Sequence, residues 1–272
     1  MREILGRRRR LLSWRVGRKP DQSPALLAAL TFATAWRWPV LPGVGTDDQV
    51  RRGLDTLDTL GARTDRQGDT RGRTGKAARK AAARKAAKGT GASALRGTTA
   101  RCACPDPDCA FPGAHPLDPG LLAATTDERL VRWWWTNRPG APVLLATGGR
   151  APCAVSLPAV AGARALAALD KAGVRLGPVV ATQARVFILV APYSMEQLGA
   201  LLYAKDWVPG SLRFHGDGGY VALPPSETGQ GQVRWERAPA PGSASPWVPD
   251  VQAVVDAVVD ALTRTGVSAP EL

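Results

Sequence analysis

ATTDERLVRWWWTNRPGAPVLLATGG, residues 124–149, is the most legible stretch of the chain. Thr125 and Glu128 have the spacing of a reciprocal helix cap, and Leu130, Val131 and Trp134 then recur at helical spacing. The apolar run that follows stops on two glycines, so the pattern predicts a capped amphipathic helix feeding a buried strand. Trp133, Trp134 and Trp135 cannot all face inward, because neighbours on a helix are about 100° apart. At least one is expected at a surface or seam, with a stacking platform for bases as the other reading.

Just upstream, CACPDPDCAFPGAH (102–115) places Cys102, Cys104, Cys109 and His115 within fourteen residues. Thiolates and imidazole suit zinc, which takes four N/S ligands in tetrahedral geometry. The spacing C-x-C-x4-C-x5-H is not the commonest zinc pattern, and the alternative is a reduced, metal-free loop. Cys153, at the start of an apolar run, reads as a buried thiol. Four cysteines in 272 residues, three of them crowded together, are not a disulfide framework; they fit a reducing, cytoplasmic setting.

With 44% hydrophobic residues the chain can bury one large core or two modest ones. Its formal charge of +13 is unevenly spread. Residues 1–19 hold eight basic residues against one acid, and residues 63–101 hold twelve against two. The remainder has sixteen bases and twenty acids, so the folded body is mildly acidic. Residues 1–22 are expected to form a basic disordered arm, either a solubilising tail or a phosphate-binding element. Residues 63–100, with AARKAAARKAAK, cannot bury enough surface to offset their ordering entropy and are expected to be a disordered basic insertion. No run approaches the roughly 20 apolar residues that cross a bilayer, and no membrane association is expected.

Along the chain, Ser23-Pro24 reads as a helix cap with Pro in the first turn, opening a helix whose apolar residues are Leu26, Leu27, Leu30, Phe32 and Ala33. Pro39 closes that segment, and WPVLPG reads as a short buried strand. Residues 159–173 predict a helix ended by Gly173. PVVAT and VFILVAP predict strands, the second apolar on both faces and therefore central. Ser194 and Gln197 offer a second cap, opening a helix through Lys205. SLRFH and YVALPP predict strands joined by HGDGG as a tight turn. After a Pro-rich joint (238–249), Val251, Val254, Val255, Val258, Val259 and Leu262 stripe a final helical segment over 250–266, closed by Gly266. That helix is expected to dock on its own body, with a protein partner as the alternative.

Four pieces, FATAWRWPVLPG, CACPDPDCAFPGAHP, the 124–149 stretch and GDGGYVALPPSETGQGQVRWE, resemble in order the primase-polymerase (Prim-Pol) domain of the archaeo-eukaryotic primase superfamily, in its actinobacterial form. The resemblance spans most of residues 23–237. It implies an α+β fold of two modules, one built on a sheet like that of an RNA-recognition motif, with the zinc-knuckle loop and basic insertion added. It also implies nucleotidyl transfer driven by Mg²⁺ or Mn²⁺, which needs convergent carboxylates. The family supplies an acidic pair on one strand, a histidine on a later strand and a third carboxylate before the glycine turn.

At those places the chain carries Ser156 and Pro158, Phe187, and Arg213. Between residues 141 and 236 the acids are Asp170, Glu196, Asp206, Asp217, Glu227 and Glu236, expected in helices, helix ends and turns. The expectation is therefore a Prim-Pol domain without its polymerase chemistry that binds DNA, RNA or a nucleotide through Lys205, Arg213, His215, Gly218 and Gly219. The alternatives are an active primase/polymerase with relocated metal ligands, and a scaffold that presents its tryptophans and final helix to a partner.

Overall fold

The computed structural model describes residues 23–53, 55, 100–240 and 242–264. The basic arm over 1–22, nearly all of the insertion over 63–100, and Gly266 lie outside the described residues.

Helix α1 (Pro24–Leu30) begins as expected, with Ser23 Oγ accepting from the Leu26 amide at 3.1 Å. It does not run on to Trp38. A π-helical turn spans Thr31–Ala35, and Arg37 takes φ 59°. Residues two apart on a helix diverge, whereas Trp36 and Trp38 join one cluster with ring centroids 4.8 Å apart. The reversal at Arg37 is what brings them together, and Phe32 and Trp235 complete the cluster. Leu27, on the outer face, is exposed.

Strand β1 (Val40–Pro42) follows, wholly buried, and helix α2 (Glu128–Asn137) feeds β2 (Val143–Ala146). The cap of α2 is Asp127, whose carboxylate accepts from the Arg129 and Leu130 amides; Thr125 Oγ1 caps the Asp127 amide instead. A carboxylate at the positive end of the helix is the stronger acceptor, and Glu128 pairs with Arg132. Val131, Trp134 and Trp135 are buried, while Trp133 is exposed and Leu130 lies at the margin. With β7 (Tyr220–Leu223), β1 and β2 make an antiparallel sheet of order β1-β2-β7.

The second sheet is built from β3 (Cys153–Pro158), α3 (Ala159–Lys171), β4 (Val179–Ala181), β5 (Arg185–Val190), α4 (Met195–Tyr203) and β6 (Arg213–His215). Its strands are antiparallel in the order β4-β5-β3-β6, and β10 (Arg234–Arg237) adds to the β4 edge. β5 is central, as its two-sided apolar pattern requires. The Ser194 hydroxyl caps α4 from the Gln197 amide at 3.0 Å, and Gly173 ends α3 with φ 68°. One face of the sheet, with Cys153, Val155, Leu157, Val186 and Ile188, forms a core with α3, α4 and α5 (Val251–Arg264). Gly162 lets α3 approach β5 closely, because a Cβ there would lie 2.7 Å from Val186 Cβ. The valine stripe of α5 is buried in this core against its own body.

The other face gives Ala154, Val180 and Leu189 to a second core shared with the β1-β2-β7 sheet, α1 and α2. HGDGG does not close a hairpin. β6 pairs with β3, whereas β7 pairs with β2, so the turn carries the chain from one sheet to the other. Gly148 makes room for the crossing, at φ 97° and with its missing Cβ only 2.5 Å from Asp217 Cα.

Candidate functional site

Strand register places the deciding residues side by side. Ser156 on β3 is opposite Phe187 on β5 and Arg213 on β6, so Phe187, Ser156 and Arg213 form one row across three strands. The next row pairs Pro158 with Arg185, and the preceding one pairs Ala154 with His215. Side chains two apart share a face. This face opens on a cavity of about 570 Å³ lined by Phe111, Arg185, Phe187, Arg213, His215 and Tyr220 among others.

A chain of hydrogen bonds fixes its floor. Arg185 Nε donates to Ser156 Oγ at 3.1 Å, and one terminal nitrogen of Arg185 donates to the carbonyls of Ser156 and Ser211 at 2.8 and 2.9 Å. Ser156, fully buried, has one hydroxyl hydrogen left to give, and His215 Nε2 stands 2.9 Å away. Pairing that hydrogen assigns the imidazole as acceptor at Nε2, with its own hydrogen on Nδ1. Phe187 packs against it, ring centroids 5.2 Å apart. Burial, then the Arg185 charge, pushes His215 down to about 4. Burial and the neighbouring Arg213 charge also pull the Arg185 guanidinium below its ordinary value. Neither arginine has a carboxylate partner among the described residues.

The 216–219 turn closes one side. Thr147 Oγ1 donates to the Gly216 carbonyl at 2.6 Å, and Gly218 and Gly219 line the cavity with Asp217, the one acid on its wall among the described residues. Lys205 is not on that wall; its ammonium pairs with Asp256 of α5. His215 ends β6, bonded to Ser156, and so stands on the strand rather than in the turn. Arg185 was hidden in the sequence by the apolar run it opens; a lone arginine heading such a strand is the signal that could have found it.

Residues 29–247, most of the chain, match the family model for the bifunctional DNA primase/polymerase, N-terminal (Prim-Pol) domain. The chain belongs to the Prim-Pol family. No curated protein and no solved structure matches it.

A Prim-Pol domain that held two catalytic divalent ions would need several carboxylates converging on this sheet. The residues present do not fit. Phe187, Ser156 and Arg213 offer one hydroxyl, already bonded twice, and a positive charge. Asp170 pairs with Arg237, Glu227 with Arg52 and Glu236 with Arg234, all off the cavity wall. Glu227 and Glu236 stand on strands β8 (Glu227–Thr228), which pairs with β9 (Gly231–Gln232), and β10, rather than in the turns or helix ends expected of them.

The cysteine cluster does fit a metal. The ligand atoms of Cys102, Cys104, Cys109 and His115 all lie within 4.8 Å of one another, close to the edges of about 3.8 Å that a tetrahedron of zinc–sulfur bonds spans. The loop is stitched to residues 43–47, with Val44 donating to the His115 carbonyl and Ala103 to that of Gly45. His115 Nδ1 donates to the Pro116 carbonyl at 3.0 Å, which leaves Nε2 as a lone pair 3.3 Å from Cys102 Sγ. Burial alone would raise the Cys102 thiol, yet the Gly113 amide and neighbouring hydrogen bonds hold it below its ordinary value. Cys109 is pushed up to about 11 by burial and by the adjacent Cys102. Cys153 is a fully buried thiol outside the cluster.

Because the folded state holds His215 neutral, its contribution to stability is complete above the unfolded value near 6.5 and is lost as pH falls through about 4. Stability should therefore rise with pH across that window, and an NMR titration of His215 should show a midpoint well below 6. Ser156→Ala leaves a buried donor and acceptor unpaired and should cost about 1–3 kcal/mol in urea unfolding. A midpoint of 6 to 7 in the wild-type chain would contradict this geometry.

Proposed function

We propose that this Prim-Pol domain does not transfer nucleotidyl groups and instead binds nucleic acid or a nucleotide in the arginine-lined cavity. The observation that carries the reading is the row of Phe187, Ser156 and Arg213, which occupies the positions that the family resemblance assigns to metal-binding groups and offers no carboxylate. Arginine there inverts the charge that a metal site requires. The order β3-α3-β4-β5-α4-β6 with strand order β6-β3-β5-β4 supports the likeness to an RNA-recognition motif. The basic segments 1–22 and 63–100 would add salt-sensitive affinity for the phosphate backbone.

Zinc is the metal we assign to Cys102, Cys104, Cys109 and His115, in a structural role, since four protein ligands leave no open position. Thiolate ligands also favour a reducing, cytoplasmic setting. Among the described residues no helix is long and apolar enough to cross a membrane.

Purified full-length chain should bind a labelled single strand with an affinity that falls steeply with salt, and should not extend a primer when given nucleoside triphosphates and Mn²⁺. Deleting residues 63–100 should flatten the salt dependence. Robust extension, abolished by a substitution in the cavity, would overturn the reading. Metal analysis should return about one zinc per chain. Cys102→Ser should lose it and lower Tm, because metal binding here is folding energy; an unchanged Tm in the zinc-free variant would remove the structural role.

A further inference from the structure

Among the described residues the positive charge in the cavity exceeds the negative, and that condition points to a ligand. Arg185 is half-buried and held by three hydrogen bonds, so its guanidinium cannot swing out to water without breaking them. Those bonds use Nε and one terminal nitrogen, leaving the other terminal nitrogen without a protein acceptor among the described residues. Arg213 lines the same cavity with two of its bonds spent on the Gly210 and Leu212 carbonyls, both from a single nitrogen. His215 Nδ1–H has no protein partner among the described residues and is likewise a donor. Two cations and a neutral donor therefore face one space, against a single acid among the described residues, the exposed Asp217 on the turn.

Donors that outnumber the acidic groups facing them are complementary to an oxyanion. We infer that Arg185, Arg213 and His215 form a site for a phosphate group that requires no divalent cation. This inference rests on the reading that the cavity does no metal-dependent transfer, and it names how the cavity engages its ligand: guanidinium groups neutralise the phosphate where a metal-using site would place ions. Ser156 is a positioning residue, holding Arg185 by its side chain and main chain and fixing the tautomer of His215. The cavity, at 570 Å³, lies within the roughly 300–1,000 Å³ range of small-ligand sites. Phe111, Phe187 and Tyr220 add ring surface beside the donors. The phosphate is carried either by a free nucleotide or by a nucleic-acid strand.

The test is calorimetric titration of the full chain with inorganic pyrophosphate, a nucleoside triphosphate, and a single strand with or without a 5′-phosphate. Each titration is run with and without Mg²⁺ and with no chelator, which would attack the cysteine cluster. Pyrophosphate should bind in the absence of Mg²⁺ and no more weakly than in its presence. Arg213→Gln, at an exposed position, should weaken it by about tenfold or more, the loss of one charge-assisted contact. Arg185→Met should weaken it further, and Arg213→Gln keeps the test decisive if that variant does not fold. Tighter binding by the triphosphate than by the strand identifies a free nucleotide as the source; a preference for the 5′-phosphorylated strand identifies nucleic acid.

Binding that appears only with Mg²⁺, or that ignores Arg213→Gln, overturns the inference, as does failure of every phosphate probe to bind. Strand binding that persists without any pyrophosphate binding overturns it too, while leaving the nucleic-acid reading intact. Primer extension by the same preparation would instead remove the reading on which the inference rests.

Discussion

Strand β3 is paired on both edges and buried on both faces, and the two modules meet across it. Its odd-numbered residues, Cys153, Val155 and Leu157, enter the core under α3 and α5, and Ala154 enters the core shared with the other sheet. Because side chains alternate with a period of two, a slip of one residue would drive Ser156 into the valine-rich core and turn Leu157 toward the cavity. Register is therefore fixed by apolar burial on both sides. The row Phe187–Ser156–Arg213 follows from that register, and so does the reach of Arg185 back to Ser156.

The electrostatics follow in turn. A carboxylate-rich sheet face would repel phosphate until cations intervened, whereas a face with two guanidinium groups attracts it directly. Burial strengthens that attraction and makes the empty arrangement costly, as the lowered titration of Arg185 and His215 reflects. The Ser156 hydroxyl couples the two groups, accepting from one and donating to the other. The cysteine cluster sits beside this site rather than within it. Phe111, between Cys109 and His115 in sequence, lines both the cavity and the pocket over the cluster.

Local chemistry was legible in the sequence. Ser23 and Ser194 cap as their spacing indicates, β5 is central as its apolar run requires, and the four candidate ligands of the 102–115 loop do converge. The stripe of α5 signalled burial, and α3 and the sheet supply it. What the sequence hid depends on tertiary partners. Thr125 and Asp127 are both competent caps, and only the backbone geometry selects Asp127. HGDGG has the composition of a hairpin turn, but β6 and β7 find partners in different sheets. Lys205 looked like a phosphate contact until Asp256, 51 residues further along the chain, took its charge. Arg185 was unreadable because its importance comes from Ser156 and Ser211, on other segments.

The central claim is that guanidinium groups, rather than metal-binding carboxylates, set the charge of this cavity. Titrating the zinc-loaded chain with Mn²⁺ and following the free ion by electron paramagnetic resonance tests it most directly. The expected result is weak, unsaturated loss of signal that Asp217→Asn barely changes. One or two tight Mn²⁺ ions per chain, released by substitutions on the cavity wall, would contradict the account.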